Sequence, residues 1–182
     1  MIEKTFINDL LIINTKKIED TRGFFSETFK QEIFNSNGID INFVQDNHSL
    51  SKKKNTLRGL HFQLPPFEQA KLVRVVRGSI IDVAVDLRTN SKTFKEYFKI
   101  NLSANNFKQL YIPVGFAHGF LTLEDNTEVL YKTSNYYSKE HERGILWSDN
   151  DIAINWGIEK LVPILSDKDK SNFLLKNIDY LF

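Results

Sequence analysis

No cysteine occurs anywhere in the sequence, which excludes a disulfide framework, a thiolate nucleophile and sulfur ligation of a metal. An excess of charge of one sign is missing too. The 24 Lys and Arg stand against 23 Asp and Glu, a formal net charge of +1. The broad cationic field that accompanies nucleic-acid binding is therefore absent, and any anionic ligand must be caught by a local cluster. No apolar run approaches bilayer length. Residues Met1 to Phe6 lack the basic, apolar and small-residue succession of a secretion signal. The expectation is a soluble cytoplasmic protein with neither nucleic acid nor membrane as partner. Proline and glycine are scarce, at 4 and 8 residues, and they form no linker, repeat or low-complexity segment. One domain over residues 1–182 is the expectation.

What is present suits a packed β protein. Hydrophobic residues make up 41% of the chain and 15 residues are Phe, enough for a substantial core. From Ser79 to Leu87 the sequence alternates. Ile81, Val83, Val85 and Leu87 fall on one face; Ile80, Asp82, Ala84 and Asp86 fall on the other, so one face suits a core and the other a wetter cavity. Further strands are expected at Leu10 to Asn14, Phe24 to Phe29, Asn42 to Ser49, Thr56 to Gln63, Lys71 to Arg77, Tyr97 to Leu102, Lys108 to Pro113 and Thr127 to Thr133. Turn residues such as Asp20-Thr-Arg-Gly and Pro113-Val-Gly separate them. Short strands at a spacing of about 8 to 12 residues favour an antiparallel sandwich or barrel. Helix is minor: Ser166 can cap a C-terminal one, and Lys30 to Phe34 can form another.

Only four histidines are available for acid–base work: His48, His61, His118 and His141. His61 lies in Leu57-Arg-Gly-Leu-His-Phe-Gln, where a cation and an imidazole sit close together, and a neutral imidazole accepts a proton near physiological pH. An isolated strand histidine is more often a hydrogen-bonded sheet residue. His118, in Pro113-Val-Gly-Phe-Ala-His-Gly-Phe, resembles the second motif of the cupins. The first cupin motif normally supplies a His-x-His pair, whereas this chain has His61-Phe-Gln, so no set of about three metal ligands is in sight. Tyr131 is a candidate acid, because its neutral form dominates at pH 7. Arg22 and Arg58 can clamp a diphosphate in bidentate fashion, and Tyr136 or Tyr137 can stack on a base. Lys71 and Asp169, taken singly, read as ordinary exposed charges. In a regular strand Arg58 and His61 would point to opposite faces. A bulge at Gly59 would restore a common direction.

Several ordered runs together resemble the dTDP-4-dehydrorhamnose 3,5-epimerase family. They are Asp20-Thr-Arg-Gly-Phe-Phe-Ser-Glu, Phe43-Val-Gln-Asp-Asn-His-Ser, Leu57-Arg-Gly-Leu-His-Phe-Gln, Asp82-Val-Ala-Val-Asp-Leu-Arg, Pro113-Val-Gly-Phe-Ala-His-Gly-Phe, Tyr131-Lys and Leu165-Ser-Asp-Lys-Asp. The resemblance implies an all-β, cupin-like jelly-roll homodimer without metal or organic cofactor. It implies action on dTDP-4-dehydro-6-deoxy-D-glucose in the pathway to dTDP-L-rhamnose. It gives His61 as base paired with Asp169, Tyr131 as acid on the opposite face, and Lys71 near the ketone oxygen. Arg22, Glu27, Gln45, Asp46, Asn47, Arg58, His118, Glu142 and Lys168 match positions lining the substrate site, and Tyr137 matches the residue stacking on thymine. Arg22 and Glu27 are the expected contributions of a partner subunit. The alternatives on this scaffold are a 3-epimerase, a 5-epimerase or a 3,4-ketoisomerase, then a metal-dependent cupin and a non-catalytic sugar-binding module.

Overall fold

Strands with one apolar face must lay that face on another element, and two antiparallel sheets do so here. The computed structural model describes residues 2–157, 160, 162–179 and 181–182. One sheet runs in the order β1 (Ile2–Lys4), β2 (Leu11–Asn14), β10 (Lys108–Ile112), β7 (Lys71–Arg77), β12 (Thr127–Thr133) and β5 (Gln45–Ser51). The other runs β13 (Glu142–Gly144), β6 (Leu57–Gln63), β11 (Phe116–Thr122), β8 (Ser79–Asp86) and β9 (Tyr97–Ser103). This is the expected all-β, cupin-like jelly-roll sandwich. Val73, Val75, Leu110, Ile112 and Val129 of the first sheet meet Ile80, Ala84, Leu102, Phe116 and Phe120 of the second. Each buried Val, Leu, Ile or Phe among them contributes roughly 1.5–3 kcal/mol. Among the described residues no helix is long and apolar enough to cross a membrane.

Two local expectations are corrected, for β8 and for Phe24 to Phe29, and the helix expected behind Ser166 is present. Both faces of β8 are buried, because Ile145, Ile152, Trp156 and Leu175 cover Val83, Val85 and Leu87. The opposite face, with Ile80, Asp82 and Ala84, lies inside the sandwich. Phe24 to Phe29 is not one strand. Only β4 (Gly23–Phe25) is extended and paired, with β3 (Ile18–Asp20), and the Asp20 carboxylate closes the turn by accepting the Arg22 N–H at 2.8 Å. The C-terminal helix is a single turn, α2 (Asp167–Lys170). It stops before Leu175, whose backbone N–H donates instead to the buried Asp149 carboxylate at 2.7 Å. The other short helix, α1 (Gln31–Ser36), lays Phe34 on the outer face of the six-stranded sheet, beside Ile13, Leu72 and Tyr111.

Candidate active site

The site begins with an irregularity in β6. His61 pairs with His118 across the sheet, but Arg58, three residues earlier, pairs with Phe120, only two residues later. One extra residue is thus inserted at Gly59–Leu60, a bulge that turns Arg58 and His61 to the same side. Gly59 is required there. Its φ is +118°, and a Cβ would lie 2.6 Å from Gly119 Cα and 2.7 Å from the His118 carbonyl oxygen. Arg58, His61, His118 and Phe120 therefore all face the sandwich interior and wall a cavity of about 420 Å³. Lys71, Ser49 and Tyr131 form the wall opposite, from the six-stranded sheet.

The one-turn helix α2 closes one end and delivers a carboxylate. Ser166 accepts the Asp169 N–H at 3.1 Å as its N-cap and donates its hydroxyl to Asp169 Oδ2 at 2.9 Å. Thus held, Asp169 presents Oδ1 to His61 Nε2 at 2.6 Å. Burial pushes the Asp169 carboxyl up, but the hydrogen bonds from His61 and Ser166 outweigh it and leave the group below its ordinary value. An ionised carboxylate can only accept, so the proton sits on Nε2 and the basic lone pair is left on Nδ1. Tyr131, partly buried in the facing wall, is pushed up by burial and by Glu142, with Arg58 opposing. It is a neutral phenol at pH 7.

Lys71 shares the wall of Tyr131. Burial lowers it to about 8, while Asp82 and Glu142 resist that fall. Its Nζ donates to the His61 carbonyl oxygen at 3.5 Å. His118 is buried and its Nε2 lies 2.7 Å from Asp82 Oδ1; burial pushes its pKa down against the attraction of Asp82. Asp82 was not singled out from the sequence. The available signal was a carboxylate alternating with Ile80 and Ala84 on one face of a strand. Among the described residues no three His, Asp or Glu side chains gather as a metal-ligand set.

A second, smaller pocket of about 160 Å³ adjoins the first and shares His61, Lys71 and Tyr131 with it. Gln45, Asn47, Tyr137 and Glu142 line it. The Tyr137 hydroxyl donates to Glu142 Oε2 at 2.8 Å, and Lys168 of α2 forms an ion pair with Glu142 Oε1. Of the fourteen expected site residues, three are not brought here. Asp46 is turned away by strand alternation between Gln45 and Asn47, and its carboxylate bonds Lys132 on the outer face at 2.9 Å. Arg22, 88% exposed, pairs with Asp20 at the tip of the β3–β4 hairpin. Glu27 is exposed and lines neither pocket.

A family model described as dTDP-4-dehydrorhamnose 3,5-epimerase matches residues 4–177. A Shigella flexneri protein named dTDP-4-dehydrorhamnose 3,5-epimerase is 53% identical over 97% of each chain. The crystal structure of a Bacillus anthracis dTDP-4-dehydrorhamnose 3,5-epimerase, with TDP and PPi bound, superposes with a TM-score of 0.92 at 45% identity, covering 96% of this chain and 99% of that one. A Legionella pneumophila dTDP-6-deoxy-D-glucose-3,5-epimerase in complex with dTDP-4-keto-L-rhamnose superposes at 0.93 with 43% identity, covering 98% and 94%.

Proposed function

We propose, from the premise that this chain belongs to the dTDP-4-dehydrorhamnose 3,5-epimerase family, that it converts dTDP-4-dehydro-6-deoxy-D-glucose to dTDP-4-dehydro-L-rhamnose by inverting carbons 3 and 5. The observation that supports this reading is a part-buried His61–Asp169 pair on one wall of a cavity, with Tyr131 and Lys71 on the wall that faces it.

Each hydrogen to be moved flanks the carbon 4 ketone, so its removal leaves an enolate with its charge mainly on oxygen. No oxidation is needed. His61 Nδ1 takes the proton, and the imidazolium so formed is stabilised by Asp169. The Lys71 ammonium sits beside the developing oxyanion, and such a preplaced charge is commonly a large catalytic contribution. Tyr131 then donates to the opposite face of the same carbon, and the transient phenolate is stabilised by the Arg58 guanidinium. Exchange of both groups with solvent resets them for the second carbon. His118 contributes to the sugar end of the cavity. Gln45, Asn47, Glu142 and Lys168 line the approach, and Tyr137 offers its ring to the base.

The whole chain acts as one epimerase domain, in the cytoplasm, without metal or organic cofactor. It works as a homodimer in which the β3–β4 hairpin reaches the partner's site and brings Arg22 and Glu27 to its diphosphate. In support, the hairpin exposes Ile18, Phe24 and Phe25, a poor surface to leave in water. Asp46 is no part of the cavity of its own chain. Incubating the 4-keto sugar nucleotide in deuterated water, with a downstream reductase to draw off product, tests the assignment: label enters carbons 3 and 5. Label at one carbon alone refutes double epimerisation, and no label refutes the reading. Sedimentation giving a monomer refutes the shared site.

A further inference from the structure

A fully buried carboxylate inside a β-sandwich is costly unless it is paired and hydrogen-bonded, so one that is only half satisfied asks for a role that an apolar residue could not fill. Asp82 is such a group. It is 0% exposed, its Oδ1 bonds only His118, and its Oδ2 is buried with no hydrogen-bond partner. It projects from β8 into the sandwich behind the cavity wall, so it does not line the cavity, whereas His118 does. Apart from the bond to Asp82, the His118 ring makes no hydrogen bond among the described residues.

We propose that Asp82 is a positioning residue of this site: by accepting the Nε2–H of His118 it leaves the ring's Nδ1 lone pair to take a hydroxyl of the bound hexose, while its charge balances the Lys71 ammonium. This rests on the epimerase reading and adds to it a division of labour around the sugar. A ketone oxygen cannot donate, so a bare imidazole nitrogen repels it and selects a neighbouring hydroxyl, leaving the ketone to Lys71. The tautomer of His118 thereby sets which sugar oxygen goes where. Lys71 is faced by Asp82 from β8, Glu142 from β13, His61 from β6, His118 from β11 and Tyr131 from β12. Asp82 and Glu142 are the two anions that keep it protonated despite its burial.

Two measurements test this. Long-range proton–nitrogen spectra of the histidine-labelled protein, with His118 assigned from His118→Gln, are expected to place its proton on Nε2 at neutral pH. A proton on Nδ1 overturns the proposal, and this readout does not depend on turnover, so it stands apart from any failure of the epimerase assignment. In Asp82→Asn, kcat at pH 8 is expected to fall about tenfold or more with KM within about threefold, and the alkaline limb of kcat to move roughly one unit lower, since one unit is a tenfold shift in the proton equilibrium. A purely structural role would lower Tm and leave that limb where it was, which overturns the proposal. Should the asparagine variant not fold, Asp82→Glu keeps the charge, and its limb is expected at the wild-type pH; a displaced limb overturns the proposal equally.

Discussion

Replacing Asp169 by Asn removes one charge and little else, because the amide has the shape of the carboxylate. The 2.6 Å bond to His61 joins a side chain that is 5% exposed to one that is 28% exposed, so solvent screens the pair poorly. When His61 takes the substrate proton this becomes an ion pair. Two unit charges about 4 Å apart at an effective dielectric near 20 attract by about 4 kcal/mol, and a hydrogen bond to a charged group is worth about 1.5–3 kcal/mol. At about 1.4 kcal/mol per factor of ten, kcat should fall by roughly 10² to 10³. The orientation of the amide decides where in that range it lands. With its oxygen toward His61 the Nε2–H tautomer survives and only the charge is lost. With its NH₂ toward His61 the basic lone pair is turned away from the substrate, and the loss is larger. The assay is kcat with a coupled reductase, beside dTDP affinity by calorimetry, which should stay within about threefold. A kcat within about threefold of wild type, or affinity falling in parallel with kcat, would refute the role given to Asp169.

Tyr131→Phe keeps the ring packed but removes the proton donor. Turnover should drop about 10² to 10⁴, while deuterium still enters the recovered substrate through His61; unlabelled substrate would count against separate acid and base. Lys71→Met should abolish most activity yet stabilise the protein. Burial lowers Lys71 to about 8, so holding it charged at pH 7 costs up to about 3 kcal/mol against an unfolded value near 10.4. That gain in Tm should fade as the pH is raised from about 8 to above 10, where lysine is neutral in both states, and a variant less stable at pH 7 would contradict the burial argument. The stability that Asp169 gains from its lowered pKa is present above about pH 4 and lost as pH falls through its folded value, so the Tm gap between wild type and Asp169→Asn should close in acid. Gly59→Ala drives a Cβ into the backbone of β11 at an expected cost of at least ~2 kcal/mol, or ~5 °C in Tm; a wild-type Tm would mean that the bulge is not needed.

Parts of this arrangement were open to reading because they are local. Ser166 caps α2 through its own side chain, and Asp20 closes a turn two residues away; neither needs the rest of the fold. Gly59 marked the one place where β6 could change its phase, and the register with β11 confirms the bulge. The pairing of His61 with Asp169 bridges 108 positions. No spacing rule reaches that far, and only the resemblance to a family suggested it. The resemblance puts Asp46 in the site with its neighbours Gln45 and Asn47, whereas alternation along β5 turns its side chain to the outer face.

Composition and alternation alone determined a cysteine-free, near-neutral β protein with an imidazole and a phenol as candidates for its chemistry, and the lysine came only with the family resemblance. A period of two creates two faces for every strand but does not say which face meets the other sheet. That choice, made by sheet order and by the C-terminal segment covering β8, turned His61, Lys71 and Tyr131 toward one cavity, buried Asp82 behind it, and gave four scattered side chains a common purpose.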